Sequence, residues 1–165
     1  MTQNLLAIRP ATPDDREAIM AIASAIGLFV PQELEELGAM LAEYFNSTPH
    51  NDCFWSVYDD GSPVGVAYYA PEPFAEGTWN LYFIAIHPSR QRQGCGTKLL
   101  HHVEQTLMAR GERLLLIETS GLPDFERARA FYRKHGYDEE ARIREFYKVG
   151  DDKIIFRKLL TAPKK

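Results

Sequence analysis

Eight consecutive residues could hold a phosphate: Arg90-Gln91-Arg92-Gln93-Gly94-Cys95-Gly96-Thr97. They lie between an apolar run, Leu81 to Ile86, and a helical stretch with Leu99, Leu100, Val103 and Leu107 apolar. Glycines at a helix N-terminus let backbone N–H groups approach a phosphate closely, and the helix dipole adds partial positive charge there. Arg90 and Arg92 add more. The dinucleotide fingerprint needs a third glycine where Leu99 stands, so it fails. A Walker A loop needs GK[ST] closing a six-residue spacing, which Gly96-Thr97-Lys98 does not supply. What remains is Q-x-x-G-x-G, here Gln91, Gly94 and Gly96. A strand-to-helix turn with no ligand would read the same way.

Two further residues could move protons. Glu118 follows Leu114-Leu115-Leu116-Ile117 at the C-terminal end of a strand, where open sheets place their ligands. It suits a general base acting directly or through water, and equally an ion-paired strand end. Tyr132 lies on a helix with Phe125, Ala128 and Phe131, and a buried phenol needs a hydrogen-bond partner. The histidines suggest no metal. His101 and His102 are adjacent and face different ways, and His50, His87 and His135 lack ligand spacing. Cys53 and Cys95 are too few for a disulfide framework or a four-ligand zinc site.

These residues need elements to position them. Leu5 to Arg9 reads as a first strand. A helix opens at Thr12-Pro13 and stops near Gly27, with Ile19, Ile22, Ala23 and Ile26 at helical spacing. A second helix runs from Pro31 to about Phe45, and Asn46 to Asp52 reads as a loop. Phe54–Tyr58 and Val64–Tyr69 are strands around Asp59-Asp60-Gly61-Ser62-Pro63, a hairpin signal. Leu81–Ile86 and Leu114–Ile117 are continuously apolar, which suits strands buried on both faces of a parallel sheet. With the helix between them they form a crossover unit. A helix after Pro123 ends at Gly136, and residues 137–147 and 153–160 read as two closing strands. The expected fold class is α/β: a mixed twisted sheet with a central parallel β-α-β crossover and flanking helices.

Composition bounds the function. The chain has 165 residues, 45% hydrophobic and 25% charged, which suits one globular domain over 1–160 with a loose tail at 161–165. The longest mostly apolar run, Ala18 to Val30, is too short for a bilayer and follows Asp14 and Asp15 rather than a basic segment. The expectation is a cytoplasmic protein with reduced thiols and no membrane partner. A net charge of −4 argues against a general nucleic-acid binder. Residues 1–80 carry 2 basic and 12 acidic side chains, and residues 81–165 carry 17 and 11. That asymmetry suggests an anionic ligand on the second part and a cationic one near the first. Glu33, Glu35, Glu36 and Glu43 also fit the wet face of a helix.

Ile84-Ala85-Ile86-His87-Pro88 leads into the glycine loop, and Ala128-Arg129-Ala130-Phe131-Tyr132-Arg133-Lys134-His135-Gly136-Tyr137 lies downstream. On these residues the chain resembles the GCN5-related N-acetyltransferase (GNAT) family, most specifically across 80–137. The resemblance implies acetyl-CoA as co-substrate, with no metal. The loop backbone over Gln91, Arg92, Gln93, Gly94, Cys95, Gly96 and Thr97 would bind the coenzyme A pyrophosphate. The strand at Ile84, Ala85 and Ile86 would pair with the pantetheine arm, and a backbone N–H near Ile86 would meet the thioester oxygen. Tyr132 would contact the coenzyme and protonate the departing sulfur. Glu118 matches the catalytic glutamate of the branch that acetylates ribosomal-protein N-termini, and the segment Glu145 to Asp152 looks like that branch's closing hairpin. Arg127, Arg129, Arg133 and Lys134 would meet the coenzyme 3′-phosphate or be solvated.

Two positions depart from the family pattern. Phe125 stands where an asparagine is common, and Asn80 stands where many members have a glutamate. The second moves the base assignment toward Glu118. The expected acceptor is a primary amine attacking directly in a ternary complex, with a small-molecule amine favoured and a peptide N-terminus as the alternative. A non-catalytic acyl-CoA sensor is the reading from another class. Oligomeric state stays open, a homodimer included.

Overall fold

The computed structural model describes residues 7–47 and 53–160. Among the described residues, seven strands and four α-helices occur in the order β1 (Ala7–Pro10), α1 (Arg16–Ala25), α2 (Pro31–Asn46), β2 (Phe54–Asp59), β3 (Pro63–Pro71), β4 (Thr78–Ile86), α3 (Cys95–Ala109), β5 (Leu114–Ser120), α4 (Glu126–Lys134), β6 (Asp138–Lys148) and β7 (Asp151–Leu159). The strands form one mixed sheet in the order β1-β2-β3-β4-β5-β7-β6. The expected α/β class and its parallel central pair are both present. The chain divides into two compact units, Met1–Ala70 with Phe83–Val103, and Pro71–Tyr82 with Glu104–Lys165.

In the first unit β2 pairs antiparallel with both β1 and β3. Trp55, Val57, Val66 and Ala85 present an apolar face that Ile19, Ile22 and Ala23 of α1 and Leu37, Leu41 and Tyr44 of α2 cover. Helical spacing of those six side chains is what makes each helix bury one stripe. Arg9 ties the unit's edge together by bonding Asp15 at 2.7 Å and Asp59 at 2.9 Å. Its guanidinium, and then a backbone bond from Thr12, hold the Asp15 carboxyl below its ordinary range against the opposing effect of burial. Glu33, Glu35, Glu36 and Glu43 are exposed on α2, in keeping with a solvated helix face.

In the second unit β5 is the inner strand. It pairs parallel with β4, from Thr78↔Leu114 to Leu81↔Ile117, and antiparallel with β7, from Leu114↔Leu159 to Ser120↔Lys153. β6 completes the unit as an antiparallel partner of β7. Glu104 is a buried polar hub. It accepts the Tyr137 hydroxyl at 2.6 Å and the Lys158 ammonium at 2.9 Å. Burial, and then the Glu104 carboxylate, raise the Tyr137 phenol well above its ordinary range.

Several sequence expectations need correction. β1 begins at Ala7, and Leu5 and Leu6 lie outside the described residues, as do His50 within the expected 46–52 loop and the tail from Thr161. Asn46 closes α2 rather than opening a loop. The apolar runs are not buried on both faces: Tyr82 on β4 is 44% exposed, and Leu114 and Leu116 on β5 are half-buried, alternating with buried Leu115 and Ile117. Adjacent polar side chains occupy that second face. α4 buries Tyr132 and Arg129, whereas Phe131 is half-buried and packs on His135 with ring centroids 4.6 Å apart. Among the described residues no helix is long and apolar enough to cross a membrane.

The Glu104 hub gives a stability prediction. Glu104→Ala removes the acceptor of two donors, one of them a buried phenol, and should destabilise the protein by about 2 kcal/mol. Glu35→Ala, on the exposed face of α2, should leave the urea midpoint unchanged. Equal midpoints for the two variants would show that the hub contributes nothing.

Candidate active site

The phosphate-loop expectation falls in the first unit. β4 ends at Ile86, with Ile84 and Ala85 before it, and the chain turns through a short 3-10 segment at Pro88–Arg90 into the loop. Two bonds hold that turn. The His87 N–H donates to the Val64 carbonyl at 2.8 Å, and the Gln91 amide donates to the Ile86 carbonyl at 2.9 Å. Gln91 therefore ties the loop to the strand end, a role its place in the motif did not reveal. Gln93 is also engaged: its carbonyl accepts from Arg90 Nε at 3.2 Å and its amide donates to the Ser89 carbonyl at 3.3 Å.

The loop backbone is unusual at two residues. Arg92 has φ of 61° and Gly94 φ of 82°. Arginine pays for that left-handed conformation, whereas glycine does not. The Gly94 carbonyl accepts the Lys98 N–H at 3.1 Å, so the helix proper starts at Cys95. The first N–H groups of a helix have no partner within it and carry the positive end of its dipole. A Cβ built on Gly94 meets nothing within 4 Å among the described residues, so this face of the turn is open. The Cys95 thiol is buried, and Gly96 and Thr97 follow as half-buried residues of the first turn. Arg90 does not add free positive charge as expected, because its guanidinium is paired with Asp60. Arg92 is the exposed arginine of the loop.

Glu118 and Tyr132 fall in the second unit. Successive side chains on a strand alternate faces, so Glu118 shares a face with Leu116, whose partner on β4 is Asn80. That register brings the Asn80 amide to Glu118 Oε1 at 2.9 Å. From the opposite flank, Lys153 Nζ on β7 lies 2.8 Å from Glu118 Oε2. Lys153 also sits over the Phe146 ring, 4.0 Å from its centroid. Burial, and then the charges of Glu118 and Asp151, push the neighbouring Tyr147 phenol up to about 12. Asn80 has a second partner: its Nδ2 donates to Glu72 Oε1 at 2.9 Å, and the same oxygen accepts the Tyr82 hydroxyl at 3.0 Å. Glu72, Tyr82, Tyr147 and Lys153 were not singled out from sequence. Asn80 was the one available signal, as a departure from the family's glutamate. The others needed the strand register.

Tyr132 lies in an aromatic group, with Phe156 at 5.6 Å and Tyr137 at 6.3 Å between ring centroids. Burial raises its phenol above the ordinary value, so it stays protonated at neutral pH. Arg129 is withdrawn from any role toward a ligand. It is buried, and it donates to the Ser120 carbonyl at 2.6 Å, the Leu122 carbonyl at 3.0 Å and Glu126 at 2.8 Å. It thereby holds the start of α4 to the end of β5. Arg133 pairs with Glu126 and Glu139 at 3.1 and 3.2 Å. Among the described residues no group of His, Cys, Asp and Glu side chains could hold a metal ion.

No curated protein matches the chain. Among solved structures, a protein assigned to the GNAT acetyltransferases from Desulfovibrio desulfuricans is 34% identical, with 94% of this chain and 99% of that one covered and a TM-score of 0.87. The ribosomal-protein-S18-alanine N-acetyltransferase from Escherichia coli is 23% identical, with 96% of each chain covered and a TM-score of 0.75. The PaiA N-acetyltransferase from Thermoplasma acidophilum, solved in complex with coenzyme A, is 17% identical, with 93% and 98% covered and a TM-score of 0.73. At the two lower identities the likeness is one of fold. The model of the acetyltransferase (GNAT) family matches residues 20–137, most of the chain and all of the loop, Glu118 and Tyr132. On that match and the 34% relative, the chain belongs to the GNAT acetyltransferase family.

Proposed function

We propose that this protein transfers an acetyl group from acetyl-CoA to a primary amine by direct attack in a ternary complex. The observation that carries the reading is the turn at Gly94: left-handed, open on its outer face, and leading into the N-terminus of a 15-residue helix. Such a turn offers backbone N–H groups to a pyrophosphate. The residues fit coenzyme A: Gln91, Gln93, Cys95, Gly96 and Thr97 shape the loop, and Arg92 supplies charge. The β4–β5 ladder ends at Leu81↔Ile117, so Ile84, Ala85 and Ile86 lie beyond it and are suited to pairing with a pantetheine arm.

The acceptor must lose a proton before it attacks. For a lysine-type amine this costs roughly 4 kcal/mol at pH 7, and for an α-amine about 1 kcal/mol. Glu118 is assigned as the base, directly or through a water. The Asn80 and Lys153 contacts fix its carboxylate in one orientation. A backbone N–H near Ile86 would stabilise negative charge on the thioester oxygen. Tyr132 would donate to the departing sulfur. Its burial-raised phenol is a weaker acid than an ordinary thiol, so its main contribution is a strong hydrogen bond as the C–S bond breaks.

A small-molecule amine is the favoured acceptor. The β6–β7 hairpin favours a second reading, a peptide N-terminus, because Phe146, Tyr147 and Val149 are exposed there and could pack on a peptide. Thiol release from acetyl-CoA should be measured against polyamines, amino acids and aminoglycosides, and separately against short peptides. Turnover with peptides alone would replace the first reading by the second. Bound acetyl-CoA without turnover in either pool would reject both and leave an acyl-CoA sensor.

Three variants test the assignments. Gly94→Val strains the left-handed turn and covers the open face, and acetyl-CoA binding should be lost; unchanged affinity in calorimetry would sink the loop assignment. Tyr132→Phe should lower kcat by roughly 10²-fold while the KM for acetyl-CoA holds. If kcat is retained, Tyr132 is structural. Glu118→Gln should flatten the acidic limb of the pH–rate profile, since that limb reports loss of the ionised base. A retained limb would place the base elsewhere.

A further inference from the structure

In the second unit β6 is the outermost strand. One of its edges pairs with β7, and among the described residues nothing pairs with the other. Every residue of β6 is exposed. A free edge presents a row of unpaired N–H and C=O groups, which is a template for a further strand. Proteins guard such edges with bulges and with charge, and β6 has both. Its pairing with β7 is interrupted between Glu139 and Ala141 and between Ile143 and Lys148. Between the interruptions Ala141, Arg142 and Ile143 stay in register with Ile155, Ile154 and Lys153.

The order of the charges singles this edge out. Asp138, Glu139 and Glu140 precede Ala141, and Arg142 and Arg144 follow it. A strand charged with one sign repels its own copy. A strand with an acidic half and a basic half does not, because antiparallel pairing lays each half beside the opposite half of the partner. A two-fold axis at Ala141 gives that arrangement. The residue on the axis faces its own copy, so it must be uncharged, and alanine is. An axis at Arg142 would instead set two arginines together. Some of the charge is already matched within the chain: Glu139 pairs with Arg133 at 3.2 Å and Arg142 with Asp152 at 2.5 Å. Asp138, Glu140 and Arg144 have no ion pair among the described residues, which leaves acid on one side of Ala141 and base on the other. Ile143, 44% exposed beside the axis, adds apolar surface that a second strand would cover.

We propose that β6 is the interface for a second copy of this chain, whose own β6 adds antiparallel about a two-fold axis at Ala141. The contact is isologous: the same strand serves both copies, and each acidic half meets a basic half. A copy of this chain is favoured over an unrelated strand because its charge order complements β6 by symmetry. The inference is independent of the acetyl-transfer reading and of the acceptor.

The test uses the full chain. Sedimentation equilibrium at low salt, from about 1 to about 500 µM, should show a monomer–dimer equilibrium. The dimer should weaken as salt is added, since the paired charges are near the surface. Asp138→Lys combined with Glu140→Lys makes the strand basic, and Arg144→Glu makes it acidic. The substituted positions are exposed, so the fold should hold. Each variant alone should dimerise at least about tenfold more weakly than wild type, and an equimolar mixture should restore association as a mixed dimer. Glu35→Gln should behave as wild type. A monomer over the whole range overturns the proposal. So does a dimer that neither variant weakens, or a mixture that stays dissociated. Hydrogen exchange needs no variant: the amides of β6 should exchange more slowly at high protein concentration than at low, and equal rates overturn the proposal. Protection of β6 by added short peptides while the protein stays monomeric would put a peptide strand on this edge and also overturns it.

Discussion

Strand β5 is the element on which the second unit depends. It is hydrogen-bonded on both sides, parallel to β4 and antiparallel to β7. A carboxylate there that is partly withdrawn from water is stabilised when neighbouring strands supply charge or hydrogen bonds, and the Glu118 side chain is 23% exposed. Glu118 is met on one flank by Asn80 and on the other by Lys153. Asn80 then reaches Glu72, Lys153 reaches Phe146, and the Tyr147 phenol is raised beside them. One ionisable group on an inner strand has organised its neighbours on three strands.

The first unit solves a different problem, that of presenting backbone rather than side chains. Its loop carries arginine and glutamine side chains, yet most are spent on shape: Gln91 on the Ile86 carbonyl, Arg90 on Asp60, Gln93 on Ser89 and Arg90. The positive character of the turn comes from the start of α3 and from Arg92. This division is physically sensible. Side chains that hold a loop remove its conformational entropy before any ligand arrives, so less binding energy is lost to ordering.

Much of the architecture was legible in residue order. α1 and α2 follow their apolar periodicity, the Asp59–Pro63 turn joins two strands, and the β4-α3-β5 crossover follows from two apolar runs around a helical stretch. Where the reading failed, it failed on burial. Leu114–Ile117 is continuously apolar, but alternate residues of β5 are only half-buried. Runs of one residue type cannot report which face meets polar neighbours. Arg129 failed in the opposite direction: a charged residue among charged residues reads as solvated, yet it is buried on backbone carbonyls at the β5–α4 junction. Only the chain's path brings those carbonyls to one place.

The sequence by itself determined the local elements and the glycine turn and made Glu118 and Tyr132 candidates, because periodicity, φ preference and chemical type are properties of neighbouring residues. The tertiary structure alone decided which donors and charges surround them. Asn80, Glu118 and Lys153 are far apart in the chain, and they meet because the β4–β5 and β5–β7 registers align them. A one-residue slip in either ladder would turn the same side chains to the other face. Register is a property of paired strands, and so the partners of the candidate base could be read only from the fold.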